Sequence, residues 1–305
     1  LLPGKRIDLR VTLRYNYEPE IIVGTLQGIP QWRSLGTVPL QRSHEAWLGL
    51  KKRFSVYTGL YAELSMKYFH LADSLYTFSL NQEALRYLSN NEGVEYYPSF
   101  LLQFTKDRRD LMSFPLEGYK YQVFGRVAGP GTTSFAKAGA TFAHYLPLRR
   151  RWNFSYGLHY VHSWGKRIPW YEKNFIGLSR REFSGISYEL RGYEPYLIDA
   201  TQLGMAKAEW KFAIVPRQMI HLERMSFARF QQAQVGVYLT VFGELGYVSD
   251  KSISNQDDFL KDRLLSGYGT GLSILGPYDL LWRIEYSLNH LGRGGLYVHG
   301  TLPIR

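Results

Sequence analysis

Cysteine is absent from this 305-residue chain, which excludes disulfides and any thiolate metal or redox centre. Long apolar runs are absent as well: nowhere do eighteen or so uncharged apolar residues follow one another, so no helical membrane span is read. Acidic residues are few against basic ones, 26 Asp and Glu to 37 Lys and Arg, which leaves a formal charge of +11. That excess suits a nucleic acid, an anionic lipid surface or acidic cargo and by itself selects none of them. No repeat, linker or low-complexity tract breaks the sequence, so residues 1–305 read as a single domain.

Aromatic residues are abundant, with 24 Tyr, 17 Phe and 7 Trp, far more burial than a disordered chain carries. Apolar residues recur with period two, the signature of half-buried strands. Ile7, Leu9, Val11, Leu13 and Tyr15 share one face, opposite Arg6, Asp8, Arg10, Thr12 and Arg14. Thr58 to Tyr68 alternates with Tyr57 to Lys67, and Leu280 to Leu288 with Asp279 to Asn289. Further strands are expected at 19–28, 44–54, 96–106, 118–128, 133–146, 152–164, 202–214, 234–248, 264–275 and 295–304, about a dozen in all. Several reach the length a tilted strand needs to cross a bilayer. Aromatics gather at strand ends (Tyr15, Tyr17, Tyr68, Tyr96, Trp152, Trp164), and tight connections at 54–57 and 148–152 contrast with long ones at 29–43, 70–95, 165–200, 215–232 and 249–263. Short turns and long loops with aromatic girdles point to an all-β, antiparallel transmembrane β-barrel in an outer membrane. A large soluble β-sandwich or barrel is the competing reading.

Within the 165–200 connection lies Phe183-Ser-Gly-Ile-Ser-Tyr-Glu-Leu-Arg191-Gly192-Tyr193-Glu194. Upstream stand Asp107-Arg-Arg-Asp110 and Phe114-Pro-Leu-Glu-Gly-Tyr119; downstream come Gly204 to Phe212 with Glu209, then Phe242-Gly-Glu244-Leu-Gly246, then Gly267-Tyr-Gly-Thr-Gly-Leu272 and the Gly276-Pro277 turn. In this order the motifs resemble those of the Omp85 superfamily, outer-membrane assembly and translocation barrels of the bacterial surface antigen D15 type. The resemblance covers residues 96–305; before that only strand periodicity supports it.

The resemblance implies a barrel of sixteen strands with the long loop folded into its lumen, work on outer-membrane protein insertion or polypeptide translocation, and the outer membrane of a Gram-negative bacterium as location. Only about seven or eight strands precede the loop, and nothing in the chain reads as a POTRA domain. Either the sequence begins inside a longer chain, or it belongs to the branch without N-terminal domains and with a smaller barrel. Two further departures are Pro277-Tyr-Asp-Leu-Leu281 where the family favours P-x-G-P, and Arg305 where membrane barrels commonly end on Phe or Trp.

A buried Arg191 requires carboxylates, because an unpaired charge out of water costs several kcal/mol. By alternation Glu244, Phe242 and Gly246 share the lumen face of one strand, and Glu209 points inward from the preceding one. The resemblance implies that Arg191 locks the loop to this wall, with Gly192 turning the backbone and Tyr193 packing beside the arginine. Gly300 and Pro303 weaken the last strand's ladder, as suits a lateral seam between first and last strands and equally a fraying terminus.

Other chemistries find little support. The Gly267-x-Gly269-x-Gly271 run continues as a strand where a nucleotide loop needs a helix. The eight His show no metal-ligand spacing, and no nucleophile pair stands out. No cofactor, metal, enzymatic activity or nucleic-acid partner is therefore expected. Expected partners are outer-membrane lipids, unfolded outer-membrane protein or polypeptide substrates, and a POTRA-bearing or lipoprotein partner beside which the chain serves as an accessory barrel. The alternative function is a passive pore or structural barrel without insertase activity.

Overall fold

The structure is a computed structural model that describes residues 7–18, 20–26, 28–34, 40–72, 93–166, 168–177, 187–221, 232–250, 259–277 and 280–301. Its frame is one antiparallel sheet of twelve strands. In sheet order these are β1 (Ile7–Glu18), β4 (Gln41–Arg53), β5 (Thr58–Leu71), β6 (Val94–Asp107), β7 (Gly118–Ala128), β8 (Phe135–Arg149), β9 (Trp152–Trp164), β13 (Gln202–His221), β14 (Gln232–Ser249), β15 (Leu264–Leu275), β16 (Leu281–Asn289) and β17 (Gly294–Thr301). The expected strand at 19–28 is not part of this sheet. Its residues form β2 (Glu20–Leu26), which pairs with β3 (Ile29–Ser34) in a separate hairpin. Gly28 supplies that hairpin's turn with a φ of 76°, and its carbonyl accepts a bond from Leu197 N at 2.8 Å. Alternation alone did not separate a local hairpin from a wall strand, because both have period two.

One face of the sheet is apolar and open. Leu9, Val11 and Leu13 of β1, Leu64 of β5, Val123 and Val127 of β7, Leu158 of β9, Val241 and Leu245 of β14 and Val298 of β17 are all exposed there. Exposed aromatics flank this belt at both strand ends, among them Tyr17, Tyr68 and Trp164 at one rim and Phe54, Tyr57 and Trp152 at the other. Such a band is what a bilayer covers. The opposite face buries charge instead: Lys67, Lys137, Lys211, Glu244 and Glu285 are each under 9% exposed.

The sheet curls around the long connection between β9 and β13. That connection carries a one-turn 3-10 helix (Trp170–Glu172) and three short strands, β10 (Asn174–Gly177), β11 (Ser187–Tyr188) and β12 (Leu197–Ala200), joined in the order β11-β10-β12. The sequence reading treated this stretch as plain loop. The stretch bonds Lys67 on β5, Tyr97 on β6, Arg126 on β7, Lys137 on β8, Ser163 on β9, Glu209 on β13, Glu244 on β14, Ser266 on β15 and Glu285 on β16, through its own side chains except at Lys137, which the Glu172 carbonyl meets. Single side chains meet several strands at once, Glu172 those of β5, β6 and β7 and Arg191 those of β13, β14 and β16, as the concave face of a curled sheet allows.

Tight turns at one rim set the register. Phe54 N and Ser55 N close on Thr58 O, and two residues join β8 to β9. The β6–β7 turn is longer and folds inward across that mouth. Its Phe114 is 4% exposed and packs on Ala213, Tyr238, Leu275 and Leu281, while Lys211 Nζ donates to Pro115 O at 3.2 Å. Gly118, with a φ of 101°, lets this turn close, because a side chain there would overlap the Arg108 carbonyl.

Candidate functional site

The loop's second limb, Leu190 to Tyr193, closes by a bond from Tyr193 N to Leu190 O at 3.0 Å. Gly192 holds a φ of 89°, which an L side chain rarely adopts. Its N–H donates to Glu194 Oε2 at 2.8 Å, and its carbonyl accepts from Asn289 Nδ2 at 2.8 Å. This tight turn aims Arg191 at the wall.

Arg191 is 7% exposed and makes a dense set of charged contacts. Its backbone N donates to Glu244 Oε2 at 3.0 Å and its Nε to Glu244 Oε1 at 2.6 Å. Nη2 lies 2.6 Å from both Glu209 Oε1 and Glu244 Oε1, and Nη1 donates to Glu285 Oε1 at 3.1 Å. The guanidinium carbon sits 3.6 Å above the Phe242 ring, a stacked cation–π geometry that an ammonium reproduces poorly. Burial opposes the charged form, but the three carboxylates outweigh it and raise the Arg191 pKa further. Each carboxylate also has a longer contact to a wall cation: Lys207 to Glu244 at 3.6 Å, Lys211 to Glu209 at 3.3 Å and Arg283 to Glu285 at 3.7 Å.

The structure thus gathers Arg191, Glu244, Glu209 and Phe242 at one point. Gly246 takes no part in the ion pairs; it makes room for Leu190 and Ile176 of the loop. Tyr193 does not pack beside the guanidinium as expected. Its ring stacks on His290 with centroids 5.9 Å apart, and its hydroxyl bonds His290 Nδ1 and Ser266 O. Burial pushes that hydroxyl up to about 12, so it stays protonated as a donor. The ring against the guanidinium is that of Phe242 on β14. Gly300 is on the end strand β17, facing Trp282 across the ladder. Pro303 and the motif residues Phe183 to Ile186 lie outside the described residues.

Sequence reasoning missed Glu285. Its signal was present, since it stands on the polar face of the 280–289 alternation, but only the curl of the sheet brings β16 within reach of Arg191. The glycine-rich strand also finds its reason here. Side chains at Gly267, Gly269 and Gly271 would overlap the Arg191 carbonyl, the Phe242 ring and the Glu285 side chain respectively. A second cluster ties the loop to the β14–β15 connection: Lys173 Nζ lies 3.0 Å from Asp199 Oδ2 and 2.5 Å from Asp250 Oδ2, and Lys261 Nζ lies 3.0 Å from Asp199 Oδ1. Burial alone would raise the Asp199 pKa, but the two ammonium groups outweigh it and hold the carboxyl well below its ordinary range.

Comparison with solved structures matches this architecture to BamA from Haemophilus ducreyi lacking POTRA domains 1-3, with a TM-score of 0.57, 14% identity, and coverage of 86% of this chain and 54% of that one. The fold is shared with that barrel. CdiB from Escherichia coli aligns at a TM-score of 0.55 and 13% identity over 96% of this chain and 49% of that one. CdiB from Acinetobacter baumannii gives 0.51 and 12%, over 96% and 46%. The chain therefore spans about half the length of the solved structures it matches. No protein-family model matches it, and no curated protein matches its sequence.

Proposed function

We propose that the chain is an integral outer-membrane barrel of a Gram-negative bacterium that acts in insertion of outer-membrane proteins or translocation of polypeptides. The observation that carries this reading is the Arg191 lock, a buried guanidinium from the lumen loop fastened by carboxylates of three wall strands. Among the described residues the loop lies in the lumen and Phe114 packs over one mouth, which supports work at the wall over a passive pore.

The lock stiffens the wall from β13 to β16. Compliance then falls on the end strands β1 and β17, which share no ladder with each other among the described residues. Unpaired strand edges template added strands, and Gly300 lowers the strength of β17 at such a seam. The partners of this reading are outer-membrane lipids against the apolar belt, an unfolded polypeptide at the seam, and a POTRA-bearing or lipoprotein partner that delivers it, with the chain as an accessory barrel.

The test is reconstitution of the purified chain in liposomes and the folding rate of a small outer-membrane barrel added from denaturant. Acceleration that Arg191→Ala abolishes supports insertion; equal rates with and without the chain overturn it.

A further inference from the structure

The loop's first limb carries a buried acid that the Arg191 lock does not use. Glu172 closes the short turn Trp170–Glu172 and is 0% exposed. Its Oε1 accepts from Tyr97 Oη at 2.7 Å and from Lys67 Nζ at 3.5 Å, its Oε2 from Arg126 Nη1 at 3.0 Å, and its backbone carbonyl from Lys137 Nζ at 2.5 Å. Four adjacent strands, β5 to β8, each supply one of these donors. Beside it, Tyr171 stacks on Phe69 at 4.4 Å and donates to Glu95 Oε2 at 2.5 Å.

The wall explains why an acid is needed there. Arg126 of β7 and Lys137 of β8 are direct cross-strand partners and both face inward. Like charges directly opposite one another destabilise a sheet, more so where water is scarce. Lys67 has a wall carboxylate, Glu45 at 3.3 Å. Among the described residues the one ion pair of Arg126 is with Glu172, so the neutralising charge comes from the loop. The wall groups that meet the loop's two charges are thus opposite in sign: cations on β5 and β7 pair with Glu172, and carboxylates on β13, β14 and β16 pair with Arg191.

We infer that Glu172 is a second positioning residue of the loop, a lock of opposite polarity that fastens its first limb to the β5–β8 wall and fixes which way the loop crosses the lumen. The two locks make the loop a brace. Breaking the Arg191 contacts frees one limb and leaves the other tethered. The inference rests on the lumen-loop geometry that the proposed function also uses, but not on insertion activity.

The absence of cysteine allows a direct test. Ser99→Cys on β6 and Ser287→Cys on β16 place conservative thiol reporters at wall positions that are 4% and 0% exposed, one beside each lock. Their reaction with a water-soluble maleimide is timed on the folded full-length chain in liposomes, with no insertion substrate present. Glu172→Gln is expected to speed labelling at the Ser99→Cys site by about tenfold or more while leaving the Ser287→Cys site within about twofold; Arg191→Ala is expected to do the reverse. Glu172→Asp, which keeps the charge, is expected to restore most of the protection. Arg126→Gln removes the cross-strand repulsion along with the wall partner, so it is expected to fold even where Glu172→Gln does not, and to expose the Ser99→Cys site in the same way. Unchanged labelling at that site in the folded variants overturns the inference, and so does equal acceleration at both sites, which would mean that the loop undocks as one unit. Loss of insertion activity with this labelling pattern intact would sink the proposed function alone.

Discussion

Replacing Arg191 with Ala removes the side-chain contacts at 2.6, 2.6, 2.6 and 3.1 Å, keeps the backbone N–H bond to Glu244 at 3.0 Å, and otherwise leaves Glu244, Glu209 and Glu285 to the longer contacts at 3.6, 3.3 and 3.7 Å. The variant site then has three cations, Lys207, Lys211 and Arg283, for three carboxylates, so the loss is of short geometry and stacking rather than of charge balance. Removing one partner of a buried pair costs about 3–5 kcal/mol. Because the remaining cations stay nearby, the low end applies, about 3 kcal/mol, or roughly a hundredfold in the ratio of docked to undocked loop. The assay is the temperature at which the folded, fast-migrating form converts to the unfolded form on a gel, with Arg108→Ala at the exposed rim as control. Arg191→Ala should convert at clearly lower temperature and Glu244→Gln should follow it, since Glu244 accepts both the Nε and the backbone N–H. Arg191→Lys should fall between, keeping the charge but losing the fork. If Arg191→Ala converts where the unaltered chain and the Arg108→Ala control do, the lock does not hold the loop.

Gly267→Ala should free the loop's second limb as Arg191→Ala does, because the added methyl meets the Arg191 carbonyl, whereas Gly243→Ala, with open space on the outer face, should convert at the unaltered temperature. Phe114→Ala should cost about 3–5 kcal/mol of packing and raise single-channel conductance in planar bilayers; an unchanged current would remove the β6–β7 turn as a cover of the mouth. Asp199 has a depressed pKa in the folded chain, so its stabilisation is complete above the ordinary aspartate value of about 3.9 and is lost as pH falls further, through the folded value. Conversion temperatures measured through that acid range should therefore drop, and Asp199→Asn should flatten the drop.

The sequence by itself determined the strands and the facing of their side chains. Period-two alternation is a local property, so ten or more residues were enough to place Glu244, Phe242 and Glu209 on the lumen side, and the ordered motifs pointed to a barrel fold of the kind that BamA and CdiB share. What alternation lacks is distance across the sheet. It gave no sign that 19–28 pairs with 29–34 and not with the wall, nor that the 165–200 stretch builds a small sheet of its own. Contacts between residues far apart in sequence had no local signal either. Glu285 joins Arg191 from 94 residues away, and Glu172 reaches Lys67 across 105, only because the sheet curls until both walls meet one loop. Tyr193 shows the same limit, since Arg191 lies two residues away in the chain while the partners of Tyr193 are His290 and Ser266. Local chemistry decided which way each side chain points. Tertiary curvature decided which opposite charges find each other, because Coulomb attraction between buried groups acts over a few ångströms and only the curl of the sheet around the loop brings them within that range.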